Sequence, residues 1–229
     1  MRRQEAVTTE PAPRRHRYLD GARAAAPLTI AVAVFGMSFG VLARAAGMGR
    51  LAAVAMSATT FAGSAQFAAA SILDAGGGLV AAVAAAVLLN LRYGPMGLSV
   101  APVLLGSRWR RLAEAQLVVD ESWAIARREH GVDRHLLLGA GAALWCTWVA
   151  GTVVGVLAGS LVADPDQLGL DAAFPALFLA LLVPQLRTRS NLAAALVGAG
   201  LAVALVPLTG PGVPVIAASL ACLIGVWRR

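Results

Sequence analysis

One charge stands where charge is costly. Residues 79–105 form a long apolar run whose only charged side chain is Arg92. A guanidinium at the middle of a lipid-embedded segment costs about 3 kcal/mol or more, so Arg92 must face a protein interior or a water-filled cavity. Its planar fork suits a carboxylate. That carboxylate belongs either to a ligand or to one buried acid of the chain, unless the residue sits near a half-helix end and reaches the interface along its stem.

Other groups could share the same chemistry. Phe61-Ala62-Gly63-Ser64-Ala65-Gln66-Phe67 interrupts a second apolar run with a hydroxyl and an amide between two aromatic rings. Small and polar residues there either unwind a helix and offer its groups to a ligand, or bond neighbouring helices. Asn90 precedes Arg92 by two residues. Asp120 and Glu121 are adjacent acids, able to take an ammonium group or a proton; the alternative is a solvated helix face near Arg127 and Arg128. Asp171 belongs to an acidic loop with Asp164 and Asp166. No metal-ligand spacing links His16, His130 and His135, and no Ser-His-Asp or Cys-His set can be assembled, so an intramembrane enzyme is the weaker class. Cys146 and Cys222 lie within apolar segments and read as packing residues.

The elements that must position these groups are membrane helices. No charge occurs in residues 24–43, 51–73, 135–163 or 190–227, and about 20 apolar residues cross a bilayer as a helix. The runs are continuous, which excludes an alternating barrel strand. Charged residues are 14% of the chain and mean hydropathy is +0.73, against about 25% charge in soluble domains. The net charge of +7 does not indicate nucleic acid: the basic side chains are all arginine and cluster between the apolar runs, as in cytoplasmic loops. An all-α polytopic membrane protein follows, with six to seven transmembrane helices. Residues 1–20 read as a disordered cytoplasmic tail and 21–229 as the membrane domain, with a charged helical segment near 106–134 at the cytoplasmic surface.

The span count carries a conflict. Seven full spans with a cytoplasmic C-terminus would place the arginine-rich tail outside. The conflict disappears if residues 79–105 form a re-entrant hairpin broken at Arg92-Tyr93-Gly94-Pro95, since proline disfavours helix in the residue before it. Both topologies are carried forward. Gly36 and Gly40, and Gly151, Gly155 and Gly159, recur at four residues and predict close helix packing. Trp145 and Trp148 either line a cavity or fill space.

Four blocks, in order, carry a resemblance. They are Phe61-Ala62-Gly63-Ser64-Ala65-Gln66-Phe67; Asn90-Leu91-Arg92-Tyr93 with Met96 and Ser99; Asp120-Glu121-Ser122; and Leu170-Asp171-Ala172-Ala173-Phe174-Pro175-Ala176-Leu177-Phe178. They resemble the signatures of the AzlC-like family, the large subunits of bacterial branched-chain amino acid exporters. The likeness covers residues 20–207. It implies a multi-pass protein of the bacterial inner membrane that exports leucine, isoleucine and valine. It also implies a separate small AzlD-like membrane subunit, energy from the proton motive force and no cofactor. Tyr93 stands where many members have His, which puts in doubt a histidine proton relay there; Val119 stands where Thr often precedes the acids.

A branched-chain amino acid is a zwitterion with an apolar side chain. Its site needs a cation or half-helix N-terminus for the carboxylate, an acid or carbonyls for the ammonium, and an apolar pocket. On this reading Arg92 meets the carboxylate, Gln66, Ser64 and Asn90 complete the polar end, and Phe61, Phe67 and Met96 supply the pocket. Asp120, Glu121 and Asp171 are the candidates for proton coupling. The competing class is a passive channel or a non-transporting membrane scaffold.

Overall fold

The computed structural model describes residues 14–129, 131–159, 179, 182–183, 186–210 and 213–222. The expected fifth span (172–186), the block at 170–178 with Asp171, and His130 lie wholly or mostly outside these residues. Along the chain come α1 (Arg14–Ala45), α2 (Arg50–Thr60), α3 (Gly63–Asp74), α4 (Leu79–Asn90), α5 (Tyr93–Val100), α6 (Arg108–Ala115) and α7 (Asp120–Ala126). A two-stranded turn, β1 (Arg127–Arg128) with β2 (Gly131–Val132), leads to α8 (Arg134–Ala158), and then α9 (Arg189–Leu205) and α10 (Val213–Ser219). Among the described residues, α1 and α8 are each long and apolar enough to cross a membrane, and the bent pair α4–α5 is a third candidate. The helix α1 begins at Arg14 and so includes the last seven residues of the segment read as a tail.

The scaffold is the pair α1 and α8, and glycine makes it possible. A Cβ on Gly36 would lie 2.6 Å from the Trp148 carbonyl oxygen, and one on Gly151 would lie 2.5 Å from that of Ala33. Gly40 faces Thr152 and Gly155 faces Met37 in the same way. Backbones approach this closely only where side chains are absent, as the four-residue glycine spacing predicts. Partner numbers rise together, from Tyr18 beside Gly139 to Val41 beside Gly159. The two helices are therefore parallel, and both start at the same end of the bundle.

That end carries the arginines. Arg17 pairs with Asp133, and Arg134 with Glu114, which also accepts from Arg110 Nε at 2.9 Å. Arg134 donates to the Tyr18 hydroxyl at 3.3 Å. The positive-inside rule assigns this end to the cytoplasm. The N-terminus of α1 and the cluster at 108–134 thus share a side, and the chain between α1 and α8 must make an odd number of crossings.

The re-entrant element is not where the sequence suggests. The pair α4–α5 bends by 46° at Leu91-Arg92, which leaves both halves running the same way. Its far end, Val100 and Leu104, packs with Leu137 at the start of α8, so the two halves do not fold back on each other. Pro95 falls in the first turn of α5, where its missing N–H costs nothing. The hairpin is α2–α3. Ser57 of α2 bonds Thr152 of α8 and Gly63 abuts Trp148. Phe67 then returns to Phe39, and Met56 packs against Ala69 and Ile72. The tip at Phe61-Ala62 lies deep in the bundle, as the small and polar residues of that heptapeptide allow.

The charged segment at 106–134 does not lie flat. It begins and ends at the arginine end, but its centre turns inward: the Leu117 carbonyl sits against Gly141, and Val119 packs with Leu144 and Trp148. Leu144 is about 15 Å along α8 from Arg134, half of a hydrocarbon core of about 30 Å. Two hairpins thus enter from opposite ends, and their tips meet where Gln116 Nε2 donates to the Ala58 carbonyl at 3.1 Å.

Two outcomes are expected. In a background with Cys146→Ser and Cys222→Ser, Ala75→Cys and Leu105→Cys should be labelled by an impermeant maleimide from opposite sides of the membrane. Labelling from the same side would restore the hairpin at 79–105. The second concerns acid. Burial pushes the Glu114 carboxyl up, but hydrogen bonds from Arg134 and Arg110 outweigh it and hold the group below its ordinary range. Burial likewise opposes, and the Leu136 and His135 amides with Arg17 overcome it, at Asp133. Groups with depressed folded values stabilise fully above their unfolded values of about 4 and lose that stabilisation as pH falls through the folded ones. The melting temperature of the detergent-solubilised protein should therefore drop between about pH 5 and pH 3, and the double variant Glu114→Gln, Asp133→Asn should flatten that limb. An unchanged limb would show that the clamp does not govern acid stability.

Candidate functional site

Three interrupted elements converge on one cavity of about 170 Å³. The break between α2 and α3 brings Phe61, Gly63 and Ser64; the break between α4 and α5 brings Arg92 and Tyr93; the tip between α6 and α7 brings Asp120 and Glu121. The unbroken scaffold closes the space with Leu28, Val32 and Phe35 of α1 and Leu144 and Trp148 of α8. The volume lies below the range of about 300–1,000 Å³ typical of drug-sized ligands and matches something of amino-acid size.

Each break has its own support. Phe61 adopts left-handed backbone (φ 42°, ψ 48°), a strained conformation for an aromatic residue. Gln66 holds it open. The Ala62 N–H donates to Gln66 Oε1 at 3.2 Å, and Gln66 Nε2 donates to Ser57 Oγ at 2.9 Å. Ser57 and Thr152 hydroxyls are 2.8 Å apart, and Thr152 donates to the Trp148 carbonyl at 3.0 Å. With Thr152 committed as donor there, Ser57 donates to Thr152, and the relay has one direction. The Ala58 carbonyl, left over at the end of α2, accepts from both Trp145 Nε1 at 3.0 Å and Gln116. At the other tip, Ser122 Oγ accepts from the Val119 N–H at 3.0 Å and donates to the Leu117 carbonyl at 2.8 Å. Ser122 thereby presents Asp120 and Glu121 in the first turn of α7, where a helix favours acids.

The charges form an asymmetric group. Arg92 Nη2 lies 2.9 Å from Asp120 Oδ2, and the guanidinium stacks over the Tyr93 ring at 5.2 Å. Among the described residues Glu121 has no ion-pair partner. Below the charges, Phe39, Phe67 and Trp148 pack as an aromatic floor: Phe39 stacks on Trp148 at 6.3 Å, and Phe67 meets both edge-on.

Measured against the sequence reading, Arg92, Ser64, Phe61, Asp120 and Glu121 are brought together. Gln66 is not in the cavity: it is fully buried and consumed by the relay, because the broken backbone needs both ends of its amide. Phe67 lies one layer behind, in the floor. Asn90 and Met96 do not line the space; the Met96 carbonyl accepts from Ser99, whose hydroxyl in turn accepts from Trp123. Arg92 meets an acid of the chain, the partly exposed Asp120. Leu28, Val32, Phe35 and Leu144 were missed. They follow three- and four-residue spacing, but nearly every neighbour is equally apolar, so no periodicity marks them.

A second, wider cavity of about 630 Å³ shares Phe61 and Tyr93 with the first and is lined towards the arginine end by Arg108, Arg111 and Leu112. Those two rings line both spaces, and the wider one opens on that side.

Comparison with known proteins identifies relatives by sequence. The model of the family described as AzlC protein matches residues 27–162, a stretch that contains all three breaks. A membrane protein of Archaeoglobus fulgidus is 35% identical over 197 residues, covering 85% of this chain and 87% of its own length. The inner membrane protein YgaZ of Escherichia coli is 28% identical over 211 residues, covering 85% and 84%. The branched-chain amino acid transport protein AzlC of Bacillus subtilis is 30% identical over 209 residues, covering 88% and 82%. No solved structure matches the chain. By the match across its broken helices and by these relatives, the chain belongs to the AzlC family of membrane proteins.

Proposed function

We propose that the protein is a secondary transporter that exports branched-chain amino acids, driven by the proton motive force and working with a small AzlD-like membrane subunit. The observation that carries the reading is the cavity itself: a mid-membrane space of amino-acid size, with charges of both signs at one end and an apolar wall at the other. Discontinuous helices meeting near the midplane are how secondary transporters build substrate sites. The name of the Bacillus subtilis relative supports the substrate class. The vestibule beside Arg108 and Arg111 suits entry from the cytoplasm, with Phe61 and Tyr93 as the inner gate. With α2–α3 and α6–α7 as hairpins, α1, the pair α4–α5 and α8 are the three crossings between Arg14 and Ala158.

Glu121 is the proton carrier of this scheme. Asp120 is committed to Arg92, whereas Glu121 faces the same cavity without a partner ion. A carboxylate that alternates between a proton and the substrate ammonium couples the two fluxes. The small subunit rests on the family resemblance.

The test is leucine transport in proteoliposomes containing this chain and its small subunit, with an imposed pH gradient. Gradient-driven accumulation is expected, and it should fall at least tenfold when the small subunit is omitted. Glu121→Gln should abolish gradient-driven accumulation, because the amide takes neither the proton nor the substrate ammonium. Accumulation that survives in Glu121→Gln removes that residue from coupling. Leucine flux that ignores the gradient altogether would favour a passive channel.

A further inference from the structure

We propose that the N-terminus of α3 is the carboxylate subsite of the cavity and that Asp120 and Glu121 are its ammonium subsite, with Arg92 positioning Asp120 and not receiving substrate. The assignment rests on the amino-acid reading above and gives that reading a polarity.

The end of α3 is open. Its N-cap residue is Ala62, which has no side-chain acceptor. Gln66, four residues on, turns its carbonyl back to the Ala62 N–H instead. Among the described residues the amides of Gly63, Ser64 and Ala65 find no acceptor; the first intrahelical bond is Gln66 N–H to the Ala62 carbonyl. A 12-residue helix thus begins at a cavity wall with free donors and the positive end of its dipole.

Two side chains point independently to a ligand there. Ser64 is 4% exposed, lines the cavity, and its hydroxyl has no partner. Hydroxyls elsewhere in these helices bond the carbonyl four residues back, as Ser38, Thr59, Thr147 and Thr152 do. For Ser64 that carbonyl belongs to Thr60, across the break. Trp148 is 6% exposed, also lines the cavity, and its indole N–H has no partner, although Trp123 and Trp145 both have acceptors. Buried donors are ordinarily satisfied. All the unsatisfied groups here are donors or can donate, so the missing partner is an acceptor. Gly63 lets the ring close on this end, since a Cβ there would lie 3.1 Å from Trp148.

The opposite wall has the complementary charge. Arg92 is engaged by Asp120 and by the Tyr93 ring. One guanidinium and two carboxylates leave one net negative charge, which suits an ammonium. A zwitterion therefore bridges from Ser64 to Asp120–Glu121, and its side chain falls against the apolar wall.

The experiment is competition for radiolabelled leucine on the purified chain with its small subunit in nanodiscs. The competitors are leucine itself and 3-methylbutylamine, which is leucine without the carboxylate. The parent should prefer leucine. Ser64→Ala should weaken leucine roughly tenfold or more, as expected for one charge-assisted hydrogen bond, and leave the amine unchanged. Ser64→Asp should abolish leucine binding, because its own carboxylate fills the helix end, and should raise the melting temperature of the ligand-free protein. Arg92→Gln should keep the preference for leucine over the amine. A preference that persists in both Ser64 variants, or that vanishes in Arg92→Gln alone, overturns the assignment and leaves the export reading standing. No saturable leucine binding to the parent overturns both.

Discussion

A helix broken inside a membrane leaves backbone groups that no water can satisfy, and the rest of this molecule depends on how that debt is met. In hydrocarbon each unsatisfied group costs several kcal/mol. At Phe61-Ala62 the chain answers with one buried amide. Gln66 takes the Ala62 N–H on its carbonyl and sends its own N–H through Ser57 and Thr152 to the Trp148 carbonyl. The relay fastens the hairpin tip to α8 at the same residue whose ring forms the cavity floor. Without it, the left-handed Phe61 and the open end of α3 would have no reason to persist.

The fastening works because its other partner is rigid. The helices α1 and α8 touch backbone to backbone along their glycines, and the Arg17–Asp133 pair and the Arg134–Tyr18 hydrogen bond lock their shared end. Against this scaffold the hairpins α2–α3 and α6–α7 are short, enter from opposite ends, and meet at the Ala58 carbonyl. One carbonyl of the α2–α3 hairpin, that of Ala58, thus accepts from both the facing hairpin, through Gln116, and the scaffold, through Trp145.

The charges obey the same logic. Arg92 is affordable in the membrane interior because Asp120 faces it and Tyr93 covers it. The pair is about one-third exposed on each side, and so contributes little net stability; it is better read as a device that fixes where Asp120 points. The second acid, Glu121, then stands in the same space with its charge uncompensated.

Much was legible in the sequence for physical reasons that act locally. Uninterrupted apolar runs required membrane helices, the glycine spacing of residues 36, 40, 151 and 155 required a close seam, and the order of the polar blocks pointed to the family. The lone charge at Arg92, the polar residues at 61–67 and the paired acids at 120–121 were each marked by their cost in lipid. What local pattern could not determine was direction and partnership. Whether a broken run continues or turns back depends on which scaffold residues lie beside it, so the hairpin fell to α2–α3 and the crossing to α4–α5. The inward tip of the charged segment was hidden because its ends belong at the surface. Gln66 lies outside the cavity with its amide bonded to Ala62 and Ser57, a placement that only tertiary packing determines. Apolar residues at 28, 32, 35 and 144 look like every neighbour they have, and the fold alone separates those that face the cavity from those that face lipid.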